Sequence, residues 1–142
     1  MLEVRHFSIV SVIFSALTAE AFINHYGITK TSKNYFKYLD RLNLVDKWII
    51  VPKVVTGNSI EPGSHSIQCL NNLVGLRNKL VHYKTRKVSI ETIDDWESLG
   101  MASFDDAQNG IEAIRLSVKA LNKIDESVET QWLDNGSNLF MF

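Results

Sequence analysis

Arg77-Asn78-Lys79-Leu80-Val81-His82 sets an arginine and a histidine with four residues between them, near the end of a strongly helical segment. Arginine is a permanent cation whose planar fork of donors grips phosphate. Histidine is the side chain best able to give and take protons near neutral pH. A phosphate clamp beside a proton shuttle is the least equipment that cleaves RNA without a metal. The spacing alone carries little weight, since the same pair recurs by chance in many helices. What matters is where Arg77 falls on its helix and what surrounds it.

At about 100° per residue, Leu70, Leu73, Val74, Leu80 and Val81 fill one apolar sector, and Arg77 lies near its middle. Asn71, Asn78 and His82 make a polar strip along one side. An uncompensated buried cation costs several kcal/mol. Three environments suit such an arginine. It pairs with a core carboxylate, for which Glu20 is the natural partner as the one acid in its run. It lines a polar cleft that receives a phosphate. Or it snorkels out along its neighbours and means little. His82 carries the bland alternative of any single helical histidine, a structural or merely exposed ring.

The elements around this segment read as helices. The first spans residues 4–26, with Phe7, Val10, Phe14, Leu17 and Ala21 as one stripe and Ile9, Ile13, Ala16 and Ile23 on an adjacent face. A helix apolar on most sides is central, or shared with a second chain. Gly27 is its expected stop. The second helix covers residues 33–50 with Ser32 as N-cap. Its stripe is Tyr35, Tyr38, Leu39, Leu42, Val45 and Ile49, with Lys and Asp on the outer face. Both prolines and two glycines place the long loop at 51–66. The third helix runs over 66–84, and a short helical piece follows at 89–99. Ser103 and Asp106 have capping-box spacing and open the fourth long helix. It continues through Ala107, Ile111, Ile114, Val118, Leu121 and Val128. The tail, 135–142, is apolar enough to dock on the body or on a partner. Together these predict one all-α domain over 1–142: an antiparallel, up-and-down four-helix bundle with a short extra helix.

Composition excludes several classes. A chain of 142 residues, 45% apolar and 22% charged, is ordinary for one globular domain. A single cysteine, Cys69, cannot form an internal disulfide and fits a reducing, cytoplasmic setting. It reads best as a small buried hydrophobe. His6, His25 and His65 do not suggest a zinc site, and no glycine-rich phosphate loop, Ser-His-Asp order or paired-carboxylate motif is present, so no metal or cofactor is expected. The uncharged run from Phe7 to Ala19 loosely imitates a signal peptide. Glu3 and His6 spoil the leader, and the run falls short of the roughly 20 residues a span needs. The reading is a core helix and no membrane association.

The net charge of −1 hides an asymmetry. Residues 1–90 carry twelve Lys/Arg against five Asp/Glu, hence +7; residues 91–142 carry three against eleven, hence −8. Arg77, Lys79, Lys84, Arg86 and Lys87 put five cations into eleven residues without an acid. Such a patch draws polyanions, though a helix C-terminus favours cations in any case.

Leu76-Arg77-Asn78-Lys79-Leu80-Val81-His82-Tyr83-Lys84 resembles the R-x4–6-H motif of the HEPN family (higher eukaryotes and prokaryotes nucleotide-binding domain). Ser15-Ala16-Leu17-Thr18-Ala19-Glu20-Ala21-Phe22-Ile23-Asn24 looks like the Ala-rich, Glu-containing opening helix of many members, and Lys47-Trp48 is reminiscent of bacterial ones. The resemblance implies a helical bundle, usually a homodimer whose two motifs face one cleft. Many members are metal-independent ribonucleases of toxin–antitoxin or other defence systems. By that likeness Arg77 and His82 are catalytic, Asn78 helps position RNA or the histidine, and Lys79, Lys84, Arg86 and Lys87 bind RNA. Glu20 and Tyr83 would support the site, and an antitoxin or another operon-encoded partner would restrain it. One departure stands out. Members restrained by a nucleotidyltransferase often carry tyrosine two residues after the histidine; here that position is Lys84, and Tyr83 follows His82 directly. The alternative keeps the fold and drops the chemistry: a HEPN-like module that binds RNA, a nucleotide or a partner protein. A third reading is a structural bundle in which Arg77 only pairs with Glu20.

Overall fold

The computed structural model describes residues 2–82 and 102–135, with residues 2–5, His82 and Asn135 described by backbone alone. It is an all-α helical bundle with no strand among the described residues. The helices are α1 (Leu2–Lys30), α2 (Lys33–Phe36), α3 (Leu44–Thr56), α4 (His65–His82), α5 (Phe104–Ile124) and α6 (Gln131–Asn135). The four long ones enclose a core of Val12, Ala19, Ile23, Trp48, Val51, Leu70, Val118 and Leu121, among others. The expected helical piece at 89–99, the docking of the tail and Tyr83, Lys84, Arg86 and Lys87 lie outside the described residues.

Helix α1 is longer than its sequence signals. Gly27 does not stop it. The glycine is buried inside the helix, and a Cβ there would overlap the Phe36 ring. Its role is to let α2 approach, and the helix runs on to Lys30. From His6 to Lys30 the helix is long and apolar enough, by length and composition, to cross a membrane. One face packs on α5, α3 and α4 through Ser8, Val12, Ser15, Ala16, Ala19 and Ile23. The expected stripe is on the other side. Phe7 is 73% exposed and Phe14 62%, and Val10, Leu17 and Ala21 are exposed with them. The small residues are inward because α5 comes close: a Cβ on Gly110 would sit 3.3 Å from Ser15 Cβ and 3.2 Å from Leu73 Cδ1. Large side chains on that face would hold the helices apart.

The second expected helix is two. Phe36 and Leu39 are buried, but the chain turns after Phe36 and restarts at Leu44. Ser32 caps α2 by accepting from Tyr35 N at 3.1 Å. Asn43 caps α3 by accepting from Asp46 N at 2.9 Å. The break turns Tyr35 and Tyr38 out of the core into solvent. Helix α3 also extends to Thr56, so Pro52 is inside a helix and the loop starts later than expected. Gly57, at φ 85°, ends it in the left-handed conformation that glycine adopts freely.

Helix α5 opens as expected. Ser103 Oγ accepts from Asp106 N at 3.1 Å, and Ser103 N donates to Asp106 Oδ2 at 2.8 Å. It ends at Ile124, short of Val128, which is buried from the following turn; Ile111 is exposed. Helices α1 and α5 run the same way, since Ser15 lies level with Gly110 and Tyr26 with Asp125. An up-and-down order would set them antiparallel. Short links enforce that order, and the long stretch 83–103 between α4 and α5 is free of it.

A polar clasp joins the ends of α1 and α5. Tyr26 donates to Asp125 Oδ2 at 2.8 Å, Ser127 Oγ donates to Asp125 Oδ1 at 2.6 Å, and Lys30 Nζ lies 3.7 Å from Asp125 Oδ2. The Ser127 hydroxyl first, then Tyr26, the Ser127 N–H and Lys30, outweigh burial and hold the Asp125 carboxyl below its usual 3.8. Burial and the Asp125 acceptor push the Tyr26 phenol well above its usual range. A carboxyl pKa lowered by folding stabilises the fold above the unfolded value, and the gain is lost as pH falls through the folded value. Urea titrations should therefore show Asp125→Asn narrowing the stability gap between pH 6 and strongly acid pH. An unchanged acid profile would remove the clasp as its cause.

Candidate functional site

On α4, Ser66, Ile67, Leu70 and Leu73 are buried, and the same face continues to Arg77 one turn later. Arg77 is therefore on the inward side, 26% exposed, at the point where the core opens to solvent. Val81, expected in the same sector, is exposed. Asn71, Asn78 and Lys79 are exposed as well. His82 closes the helix, and its side chain lies outside the described residues.

Two groups aim the guanidinium. Asn78 Oδ1 accepts from Arg77 Nε at 3.4 Å and from Nη2 at 3.2 Å. Glu20 Oε2 of α1 lies 4.0 Å from Nη1. The ion pair with Glu20, one of the three environments that suit Arg77, is thus present, at the long end of the range. A contact of that length neutralises charge without using up the donors on Nη1 and Nη2, and the side chain keeps access to solvent.

Behind Glu20 is a residue the sequence reading placed on an outer face. Lys47 is 2% exposed. Its Nζ donates to Asn24 Oδ1 and to Asp40 Oδ1, both at 3.0 Å, and lies 3.6 Å from Glu20 Oε1. It also stands 5.9 Å from the centre of the Phe36 ring. Glu20 therefore serves two cations, one buried and one at the surface. The signal for Lys47 was in the spacing: Leu44, Lys47, Trp48 and Val51 are i, i+3, i+4 and i+7, and all are buried. Trp48 fastens the same level, donating from Nε1 to Ala19 O at 3.2 Å and stacking on Phe22 at 5.8 Å.

A groove of about 590 Å³ lies on another side of α4, between it and α5, lined in part by His65, Cys69, Asn72, Lys79, Asp106 and Glu112. It shares Asn71 and Lys79 with the expected site but neither Arg77 nor Asn78. Its carboxylates make it a poor seat for a polyanion. Cys69 is half-buried, and its Sγ is 3.7 Å from Nε2 of His65, one helical turn away. The two residues are therefore neighbours, contrary to the expectation that His65 and Cys69 are not spaced to act together; no group of three metal-ligating side chains forms among the described residues.

The described part of the site is thus a surface arginine oriented by Asn78 and Glu20, backed by a buried lysine. Comparison of the chain with protein-family models, with curated proteins and with solved structures finds no match.

Proposed function

We propose that this chain is a metal-independent endoribonuclease of HEPN type, a cytoplasmic toxin or defence effector that cuts RNA at a homodimeric cleft. The observation that carries the reading is Arg77: a cation on the inward face of α4, held in orientation by Asn78 and Glu20, yet open to solvent. Donors oriented in advance stabilise charge that develops on a phosphorane without reorganising at the moment of reaction. His82, one turn beyond Asn78, takes the proton from the ribose 2′-hydroxyl as that oxygen attacks phosphorus. The bond to the 5′-oxygen breaks, that oxygen receives a proton, and a 2′,3′-cyclic phosphate remains. One motif has one histidine, whereas the step profits from a base and an acid. Two copies of the motif across a dimer supply both.

The exposed stripe of α1 supports the dimer. Phe7, Val10, Phe14, Leu17 and Ala21 alternate by three and four residues, the spacing of a helix-to-helix seam. A patch of large exposed side chains in line is the mark of an interaction surface. Phe14→Glu is expected to shift the protein from dimer to monomer in sedimentation velocity while its helical signal stays intact. A Phe14→Glu protein that remains dimeric places the interface elsewhere. An antitoxin or another operon-encoded chain is the expected further partner.

Cleavage of a single-stranded RNA in EDTA, by the parent chain but not by His82→Ala, tests the activity. The non-catalytic reading, a HEPN-like module binding RNA, a nucleotide or a protein, draws on the same Arg77–Glu20 pair, because an arginine already paired has a structural use. RNA bound through Arg77 but never cut would establish it.

A further inference from the structure

Tyr35 and Tyr38 have no place in the chemistry above. Tyr35 is 50% exposed and Tyr38 72%. Two large rings in solvent on one turn are unusual unless something uses them. Tyr38 N donates to Tyr35 O at 3.1 Å, so the two residues sit one tight turn apart. Neither ring stacks on another aromatic side chain among the described residues. The Lys37 ammonium lies over one face of Tyr38, and the other face is clear of any ring among the described residues.

The turn that bears them is anchored. Phe36 and Leu39, interleaved with the tyrosines, are buried, and Phe36 presses on Gly27 of α1. The surroundings are basic. Lys33, Lys37 and Arg41 are exposed, and Lys37 Nζ lies 5.4 Å from the centre of the Tyr38 ring. The one acid in residues 31–43, Asp40, has its charge answered by the buried Lys47 at 3.0 Å. Exposed aromatics on an anchored turn, beside cations without a carboxylate partner among the described residues, are what a single strand needs: cations for its phosphates and ring faces for its unstacked bases. An acidic peptide would use the cations but not the rings.

We propose that Tyr35 and Tyr38, with Lys33, Lys37 and Arg41, form a stacking platform for unpaired bases of single-stranded RNA. Asp40, on the same turn, is linked to Arg77 by contacts of 3.0, 3.6 and 4.0 Å through Lys47 and Glu20. The platform rests on the same RNA reading but acts in binding rather than in the cut.

Fluorescence anisotropy of a labelled oligouridylate tests it, in the full chain carrying His82→Ala so that the probe stays whole. Tyr35→Ala and Tyr38→Ala are each expected to weaken binding about ten-fold, the usual loss for one stacked base. Both tyrosines are exposed, so circular dichroism should show the helices unchanged. Phenylalanine at both positions keeps the ring faces and should bind within about two-fold of the parent. Lys37→Ala should lower the slope of log affinity against log salt by about 0.7, the value for one phosphate contact on a single strand. Alanine variants that bind as tightly as the parent overturn the platform. So do phenylalanine variants as weak as the alanine ones, and so does a poly-glutamate peptide that competes with the same dependence on the rings. RNA that binds through the rings but is never cut by the unmutated chain removes the nuclease and leaves the platform standing.

Discussion

His82→Ala is expected to slow RNA cleavage by roughly 10²–10⁴-fold, the usual contribution of a positioned acid or base. Arg77→Ala should cost about 10²–10³-fold by removing an oriented donor from the charged transition state. The two variants should separate in their dependence on pH: loss of His82 flattens the profile near neutrality, whereas loss of Arg77 lowers it without moving its shape. Arg77→Lys keeps the charge and loses the fork that Asn78 orients, so it should recover little of the rate. EDTA should leave the parent rate unchanged; full inhibition would reveal a metal enzyme. Stability decides between the readings of Arg77. Its side chain is 26% exposed and its contact with Glu20 is 4.0 Å, so truncation should shift unfolding by no more than about 1 kcal/mol, as for other exposed pairs. If Arg77→Ala unfolds the bundle, the arginine is a core ion-pair member and the catalytic role loses its support. Cleavage undiminished in His82→Ala ends the proposed mechanism.

The second large effect concerns the lysine behind the site. Lys47 is buried, while its two carboxylate partners reach solvent, Asp40 being 61% exposed and Glu20 38%. The penalties are therefore lopsided. Removing either carboxylate leaves Lys47 the other one and Asn24, and each single alanine variant should cost about 1 kcal/mol. Removing both leaves a buried ammonium with one amide oxygen. Breaking a buried pair in that way costs about 3–5 kcal/mol. Urea unfolding of Glu20→Ala, Asp40→Ala and the double variant should thus show a double loss well beyond the sum of the singles. Adding Lys47→Met to the double variant should restore most of the stability, because it replaces the stranded charge with an apolar chain of similar length. Additive single losses, or no rescue by methionine, would mean that Lys47 is solvated through breathing of the turn at 37–43 and is not a buried charge in solution.

These two experiments address the two halves of the polar layer that Glu20 joins. Glu20→Ala should therefore register in both: as a modest loss of stability through Lys47, and as a loss of rate through the orientation of Arg77.

How much of this was legible beforehand differs from residue to residue. Arg77 could be placed on the inward face of its helix from periodicity, and the cost of a buried cation pointed to a carboxylate. Glu20 was identified because its run has no other acid. The caps at Ser32 and Ser103 followed from local chemistry, in which one side chain satisfies one backbone N–H a few residues away. The break between α2 and α3 was missed because the apolar spacing from Tyr35 to Ile49 fits one helix as well as two. Asn43 becomes a cap only because the chain breaks there, which a single helix over 33–50 does not anticipate. Lys47 was placed outside by its type, although its neighbours Leu44, Trp48 and Val51 share its face.

The sequence by itself determined that the chain is helical, where most helices open, and which face of α4 turns inward. Those properties depend on residues within a few positions of each other. Which face of α1 joins the core was decided by tertiary structure alone. Transfer from water favours burying Phe7, Val10, Phe14 and Leu17. Close approach of α5 at Gly110 instead selects the face with Ser8, Ser15, Ala16 and Ala19. Packing distance between two helices is a property of both, and one helix's periodicity cannot contain it. The same reason governs the R-x4-H segment. Its spacing puts Arg77 in the middle of an apolar sector; packing sets that residue at the core's edge and brings Glu20 of α1 and Lys47 of α3 behind it.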